Sequence, residues 1–279
     1  MAVTLEQLDE LRELRKGLRD GVCAVEGFDY DTEPKVRVDV CALCGCEKPF
    51  RLVSEDRYGI PARFIQCPVC DLVWLSPRMT AEGYARFYQH AYRPLLTKFM
   101  GVPVDAQTIQ HHQKRYAQHL ADILQTVEWS KLLDIGGSTG IVARELMGDR
   151  SREATILDPS ADELRFAIGF ETICSTAEEW DPQGRTWDLV TMCQTIDHLL
   201  DPVSVLKKCR EVCSGTFWVD IVDWRQWAGR MGFVERALKI DHSFNFTPRT
   251  GKRMVEAAGF HVTRTVEWTH GTRVGFLCQ

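Results

Sequence analysis

No stretch of the 279-residue chain approaches the roughly 18 consecutive apolar residues that a membrane-spanning helix needs. A basic excess is also missing. There are 34 Lys+Arg against 39 Asp+Glu, a net charge of −5, which argues against a broad nucleic-acid face and leaves room for a small basic groove at most. The opening stretch, MAVTLEQLDELRELRKGLRD, lacks the apolar centre of a secretory signal, so the expected location is cytoplasmic. No internal repeat or low-complexity segment is visible. Two phosphate-binding signatures are absent as well. The pattern G-x-x-x-x-G-K-[ST] occurs nowhere, and G-x-G-x-x-G counted from Gly136 fails at Ser138 and Ile141.

What the chain does have is cysteine, 11 in all, unevenly placed. Cys41, Cys44, Cys46, Cys67 and Cys70 cluster, whereas the others are scattered among apolar residues. Cys41-Ala-Leu-Cys44 and Cys67-Pro-Val-Cys70 are two CxxC knuckles, and clustered cysteines in a reducing compartment read as metal ligands rather than disulfides. Four thiolates on two tight turns predict one tetrahedral, structural Zn²⁺ with no open position. Gly45 suits the turn after the first knuckle, Asp71 takes the equivalent place in the second, and Cys46 is a bystander. The flanking segments FRLVSEDRYG and ARFIQCPVCDLVWLS are strand-like, as a zinc ribbon requires.

Around this module the pattern is helical. Leu5, Leu8, Leu11, Leu14 and Leu18 predict an amphipathic helix over 4–19, and residues 20–35 read as an acidic linker. Residues 80–128 read as mainly helical, with breaks near Pro94 and at Gly101-Val102-Pro103. From Lys131 onward strands near 131–135, 154–158, 171–174, 187–192 and 215–222 alternate with helices near 140–147, 160–168 and 202–213. That alternation predicts a doubly wound α/β sheet. A helix after Pro248, ending at Gly259, and a hairpin turning at 269–272 add a C-terminal antiparallel strand.

The most informative stretch is KLLDIGGSTG, residues 131–140. A buried strand ends in Asp134 and breaks into a Gly-rich turn. Asp158 closes the next apolar run, ILDPS. Two acids beside such a loop mark a nucleoside crevice, and the failed phosphate patterns point to a ligand with a ribose and a positive amino-acid end. DIGGSTG, ILDPS and WDLVTMCQTIDHLLDP, in that order, resemble the class I S-adenosylmethionine (SAM)-dependent methyltransferases. The resemblance implies a Rossmann-like fold with Asp134, Gly136, Gly137, Ser138 and Gly140 shaping the cofactor pocket. It implies Asp158 on the ribose hydroxyls, Ala177 or Glu178 near the adenine, and Cys193 and Gln194 on the methionine side. Ser138 and Thr176 depart from the residues most common at their places. The Asp197-His198 pair matches a position that is largely structural in the family.

The layout of a zinc ribbon, a tyrosine-rich helical stretch and this core resembles the zinc-ribbon methyltransferases of sugar and natural-product pathways, among them nucleotide-sugar C-methyltransferases. It implies an N-terminal helix and linker over 1–37, a zinc ribbon over 38–78, a helical connector or lid over 79–128 and the SAM-dependent core over 129–279. By the same resemblance Asp241 and His242 are the acid–base pair, with His242 the general base. Lys239-Ile240 replaces the family's Tyr-His, which detaches the reading from keto-sugars in particular. Tyr84, Tyr88 and Tyr92 recur on one helical face, lining a sugar pocket or packing module against core. Trp224, Arg225 and Trp227 follow the fifth strand, where an acceptor ring could stack. The expected activity is methyl transfer to a small-molecule sugar or glycan hydroxyl or carbon. A zinc-ribbon RNA methyltransferase and a non-catalytic SAM-binding protein are the alternatives. Residues 41–78 carry five Lys/Arg and four Asp/Glu, too nearly neutral to favour RNA.

Overall fold

The computed structural model describes residues 25–148, 151–268 and 271–279. The helix expected over 4–19, and Thr269 and His270 of the expected hairpin turn, lie outside the described residues. Among the described residues no helix is long and apolar enough to cross a membrane.

Residues 25–34 are turns, but Val25 and Tyr30 are buried, so this part of the expected linker packs against the body of the protein. Five short strands follow: β1 (Lys35–Val36), β2 (Phe50–Glu55), β3 (Pro61–Gln66), β4 (Val73–Leu75) and β5 (Arg78–Met79). A buried acid builds the β2–β3 turn. Asp56 Oδ1 accepts the amides of Tyr58 (2.8 Å) and Ile60 (2.9 Å), while Oδ2 accepts Ile240 N–H from far along the chain.

Helix α1 (Ala81–Arg86) is capped by Thr80 Oγ1 and runs into a π-helical turn, Phe87–Ala91, before α2 (Tyr92–Met100). The break expected near Pro94 is this π turn. Proline has no N–H for the carbonyl of His90, and its ring crowds that carbonyl, so the irregularity falls just before it. Pro94 then sits in the first turn of α2, where the missing donor costs little. Gly101, at φ +69°, ends α2, and Asp105 caps α3 (Ala106–Ile123).

The core comprises β6 (Lys131–Ile135), α4 (Ile141–Met147), β7 (Glu153–Asp158), α5 (Ala161–Leu164), β8 (Glu171–Cys174), β9 (Trp187–Met192), α6 (Pro202–Val212), β10 (Cys213–Val222), α7 (Trp224–Met231), β11 (Phe244–Asn245), α8 (Pro248–Ala257), β12 (Val262–Trp268) and β13 (Arg273–Cys278). The seven-stranded sheet has the order β12-β13-β10-β9-β6-β7-β8. Strands β8, β7, β6, β9 and β10 are parallel, and β13 is antiparallel to both β10 and β12. Near-continuous burial of β6, β7 and β9 follows from helices on both faces. The expected helix over 160–168 is shorter. After Leu164 the amides of Phe166 and Ala167 turn to i−3 carbonyls, and the chain leaves through Gly169 at φ +88°.

Chain order reverses direction between β6 and β9, so a crevice opens outside their carboxyl ends. The cysteine module is fused to this core. Its sheet has the order β11-β4-β3-β2, so a strand from beyond β10 completes it through the Phe244–Trp74 pair. Cys41, Cys67, Cys70, Leu72 and Trp74 share one buried cluster with Ile135, Met192, Phe217, Phe244 and Phe246.

Candidate active site

Asp134 ends β6 fully buried. Its Oδ1 accepts Thr191 Oγ1–H at 2.7 Å, while Oδ2 is buried with no partner. Burial pushes the carboxyl up to about 7 against the opposing Thr191 hydrogen bond. Gly136 (φ +71°) follows, its N–H on Leu157 C=O at 2.7 Å. A Cβ there would stand 2.2 Å from Thr195 Oγ1, and one on Gly137 would stand 2.8 Å from Asp134 Oδ2. The loop passes so close to its surroundings that both positions need glycine. Ser138, at φ +49°, donates N–H to Asp158 Oδ2 (2.9 Å) and Oγ–H to Glu163 Oε2 (2.9 Å). Gly140 (φ +73°) opens α4.

Asp158 ends β7. Its Oδ1 accepts Ser160 N–H at 2.8 Å, and burial raises the carboxyl to about 6. Glu163 also pairs with Arg93 of α2, which brings the helical connector to this rim. Ala177 is buried, and its carbonyl, with those of Glu178 and Trp180, is held by Lys208 Nζ. The Glu178 side chain accepts Leu200 N–H, so it is already engaged.

Beyond β9 stand Cys193 and Gln194 (φ +54°). Gln194 N–H donates to Asp220 Oδ1 at 2.7 Å, and Arg273 bridges Gln194 Oε1 (3.0 Å) and Asp220 Oδ2 (3.2 Å). The guanidinium also stacks over Tyr116. Asp220 and Arg273 escaped the sequence reading. An acid inside the apolar run TFWVDIV was the available signal for Asp220. Burial lifts its carboxyl above the usual range, and Arg273 opposes that shift.

A second cluster adjoins Gln194. The 3₁₀ turn Ile196–His198 carries Asp197 and His198, which meet the segment before β11. His242 Nδ1 lies 3.1 Å from Asp197 Oδ2, and the two imidazoles cross edge to face at 4.7 Å. Asp241, expected as the acid beside His242, is 3.9 Å from Nε2 and forms an ion pair with Lys239 at 3.2 Å. The nearer acid is Asp197. Burial, with Lys239, His198 and Arg57 nearby, holds His242 well below the usual imidazole range, hence neutral. Tyr88 Oη is 2.7 Å from His198 Nδ1, and Tyr84 Oη–H donates to Ile240 C=O. Tyr84, Tyr88 and Tyr92 remain neighbours through the π turn, at centroid separations of 6.2 and 5.2 Å. Trp224 is buried under Arg225, in the same apolar cluster as Tyr84, Leu238 and Ile240.

The four module thiols converge. Cys41, Cys44, Cys67 and Cys70 place their sulfurs within 4.8 Å of one another, with Cys41–Cys70 and Cys44–Cys67 each at 3.4 Å. The knuckles are structural duplicates. Gly45 and Asp71 occupy φ +70° and +69°, and their amides return to Cys41 and Cys67 carbonyls at 2.9 and 3.0 Å. Bonds of about 2.3 Å in a tetrahedron put sulfurs about 3.8 Å apart, so the cluster fits a single ion. Cys46 stands outside it, its carbonyl accepting Cys41 N–H.

A doubly wound sheet, a glycine loop at its switch point and a carboxylate ending the adjacent strand define a nucleoside-binding α/β fold. Residues 84–265, more than half the chain, match the family model described as Methyltransferase domain. The chain therefore belongs to that methyltransferase family. Solved structures share the fold. A Nostoc punctiforme protein described as an O-methyltransferase is 20% identical, with TM-score 0.54 over 66% of this chain and 60% of that one. Human N-acetylserotonin methyltransferase, solved with SAM, is 15% identical, with TM-score 0.53 over 70% and 58%. Mitomycin 7-O-methyltransferase is 16% identical, with TM-score 0.52 over 67% and 57%. The chain thus spans about 60% of the length of these three proteins. No curated protein matches it.

Proposed function

We propose that the chain moves a methyl group from SAM to a small-molecule acceptor, a sugar or glycan hydroxyl or carbon. In this reading the acceptor lies at the exposed edge of His198, beside the Asp197–His198–His242 cluster, with the Tyr84–Tyr88–Tyr92 face packed behind it. One observation carries the reading: two imidazoles and a buried carboxylate converge directly beyond Gln194, on the side assigned to the methionine end of the cofactor. Bound SAM supplies an electrophilic methyl on a sulfonium. Asp134, Gly136, Gly137, Ser138 and Gly140 shape its pocket, where the unpartnered Asp134 Oδ2 and the glycine cradle suit a polar ligand pressed against backbone. Asp158 takes the ribose, Ala177 flanks the adenine, and Cys193 and Gln194 flank the methionine.

The remaining work is alignment and proton removal. His242, oriented by Asp197, with Asp241 behind it, takes the acceptor's proton. Tyr88, Tyr92 and Trp224 shape the acceptor pocket. Cys41, Cys44, Cys67 and Cys70 hold a structural Zn²⁺ that fixes the module, and the divisions of the chain fall at 37, 78 and 128. In the test, His242→Ala remains folded and keeps its SAM affinity while turnover falls by roughly 10²- to 10⁴-fold. Full turnover in that variant eliminates His242 as the base.

A further inference from the structure

We infer that Asp197, His198 and His242 form a second metal site, separate from the four cysteines, that takes a divalent transition-metal ion. The role given to the ion rests on the acceptor reading above, but its binding does not. Three potential ligand atoms, one from each residue, lie within 4.8 Å of one another.

Hydrogen bonding fixes the orientation of His198. Its Nδ1 is 2.7 Å from Tyr88 Oη and 2.9 Å from the Asp241 carbonyl, so both polar neighbours hold the ring from the Nδ1 side and Nε2 is turned towards Asp197. Anchoring one ring nitrogen on a carbonyl while the other faces inward is how metal-ligating histidines are held. Nε2 faces Asp197 Oδ1 at 3.9 Å, and that oxygen is buried with no hydrogen-bond partner. On the other side Asp197 Oδ2 stands 3.1 Å from His242 Nδ1. With Oδ2 beside one imidazole nitrogen and the unpartnered Oδ1 facing the other, the carboxylate suits a cation held among them. Bonds of about 2.1 Å in a tetrahedral arrangement put ligand atoms about 3.4 Å apart, between the two separations seen.

The set of two imidazoles and one carboxylate suits zinc and its neighbours, unlike the soft four-thiolate set. It also leaves coordination open. The Asp197 and His242 side chains are 7% and 8% exposed, whereas that of His198 is 25% exposed, so the site opens past His198. With the ion held, His242 Nδ1 serves as a ligand and not as the base, and an acceptor oxygen completes the shell past His198, which favours acceptors that present a hydroxyl beside the methylated atom.

Cobalt titration of the chelator-stripped full chain separates the two sites. Co²⁺ on four thiolates gives intense near-ultraviolet charge-transfer absorption, whereas Co²⁺ on imidazole and carboxylate gives weak visible bands alone. Wild type is expected to take up about two equivalents. Asp197→Asn, which is isosteric, and His198→Gln, each checked by melting, are expected to take up about one, with the thiolate band intact. A wild type that saturates at one equivalent, all in the thiolate band, overturns the inference. So does unchanged uptake in both variants. SAM titration of the same samples keeps the outcomes distinct. Intact SAM binding without the second cobalt removes this site and leaves the methyl-donor reading standing.

Discussion

Asp158→Asn tests the cofactor reading at a position where the structure sets the size of the effect. The carboxylate accepts two backbone amides, Ser138 N–H on Oδ2 at 2.9 Å and Ser160 N–H on Oδ1 at 2.8 Å. Asparagine has one acceptor oxygen, so its NH₂ must face one of those donors. Leaving a buried amide unsatisfied costs about 1–3 kcal/mol of stability. Losing the charge-assisted bonds to ribose hydroxyls costs a further 1.5–3 kcal/mol or so of binding, roughly a 10- to 150-fold weaker SAM affinity. The pH dependence has a definite sign. Burial raises the native carboxyl to about 6, so the folded state keeps this proton longer than the unfolded chain does. Its contribution to stability is therefore largest at low pH and is lost as pH rises through about 4 to 6. Binding runs the other way, because the ribose needs the ionised acid. Wild-type affinity falls by up to about tenfold per unit as pH drops below 6. Calorimetric SAM titrations between pH 5 and 8 read both effects. A variant that binds within twofold of wild type, or that keeps the wild-type pH slope, refutes the assignment of Asp158.

Three further perturbations follow from the packing. Gly136→Ala places a Cβ 2.2 Å from Thr195 Oγ1 at φ +71°. It is expected to lose about 1–3 kcal/mol in urea unfolding, and adding Thr195→Ala is expected to recover the steric part alone. Arg273→Met strands the buried Asp220 carboxylate and is expected to cost about 3–5 kcal/mol, whereas the Asp220→Asn/Arg273→Met pair recovers most of that loss in the same assay. Cys67→Ser is expected to lower both bound zinc and the melting temperature. Because β4 pairs with β11, the amides of residues 240–246 are expected to lose hydrogen-exchange protection with it.

How far the fold was legible depended on whether a feature was local. Glu153–Asp158 and Trp187–Met192 were readable because buried parallel strands carry near-continuous apolar runs bounded by turn residues. The left-handed Asp71 was readable by analogy with Gly45, since both follow a CxxC knuckle. Long-range pairings left no such trace. Nothing near His242 in sequence announces Asp197, 45 positions earlier, whereas the adjacent Asp241 was the visible acid and proves to pair with Lys239. β11 is two residues long, too short to show a period, yet it welds the module to the core. The extent of α5 was overread because Leu164 and Ala167 keep a helical spacing while the backbone has already tightened into i−3 turns.

Incubation of the full chain with methyl-labelled SAM, nucleotide-sugars and cell extract, followed by fractionation of the label, tests the central claim most directly. Label is expected in a small hydroxylated product and is lost in His242→Ala while SAM binding persists. Label confined to RNA, or none transferred to any fraction by a chain that binds SAM, contradicts that claim.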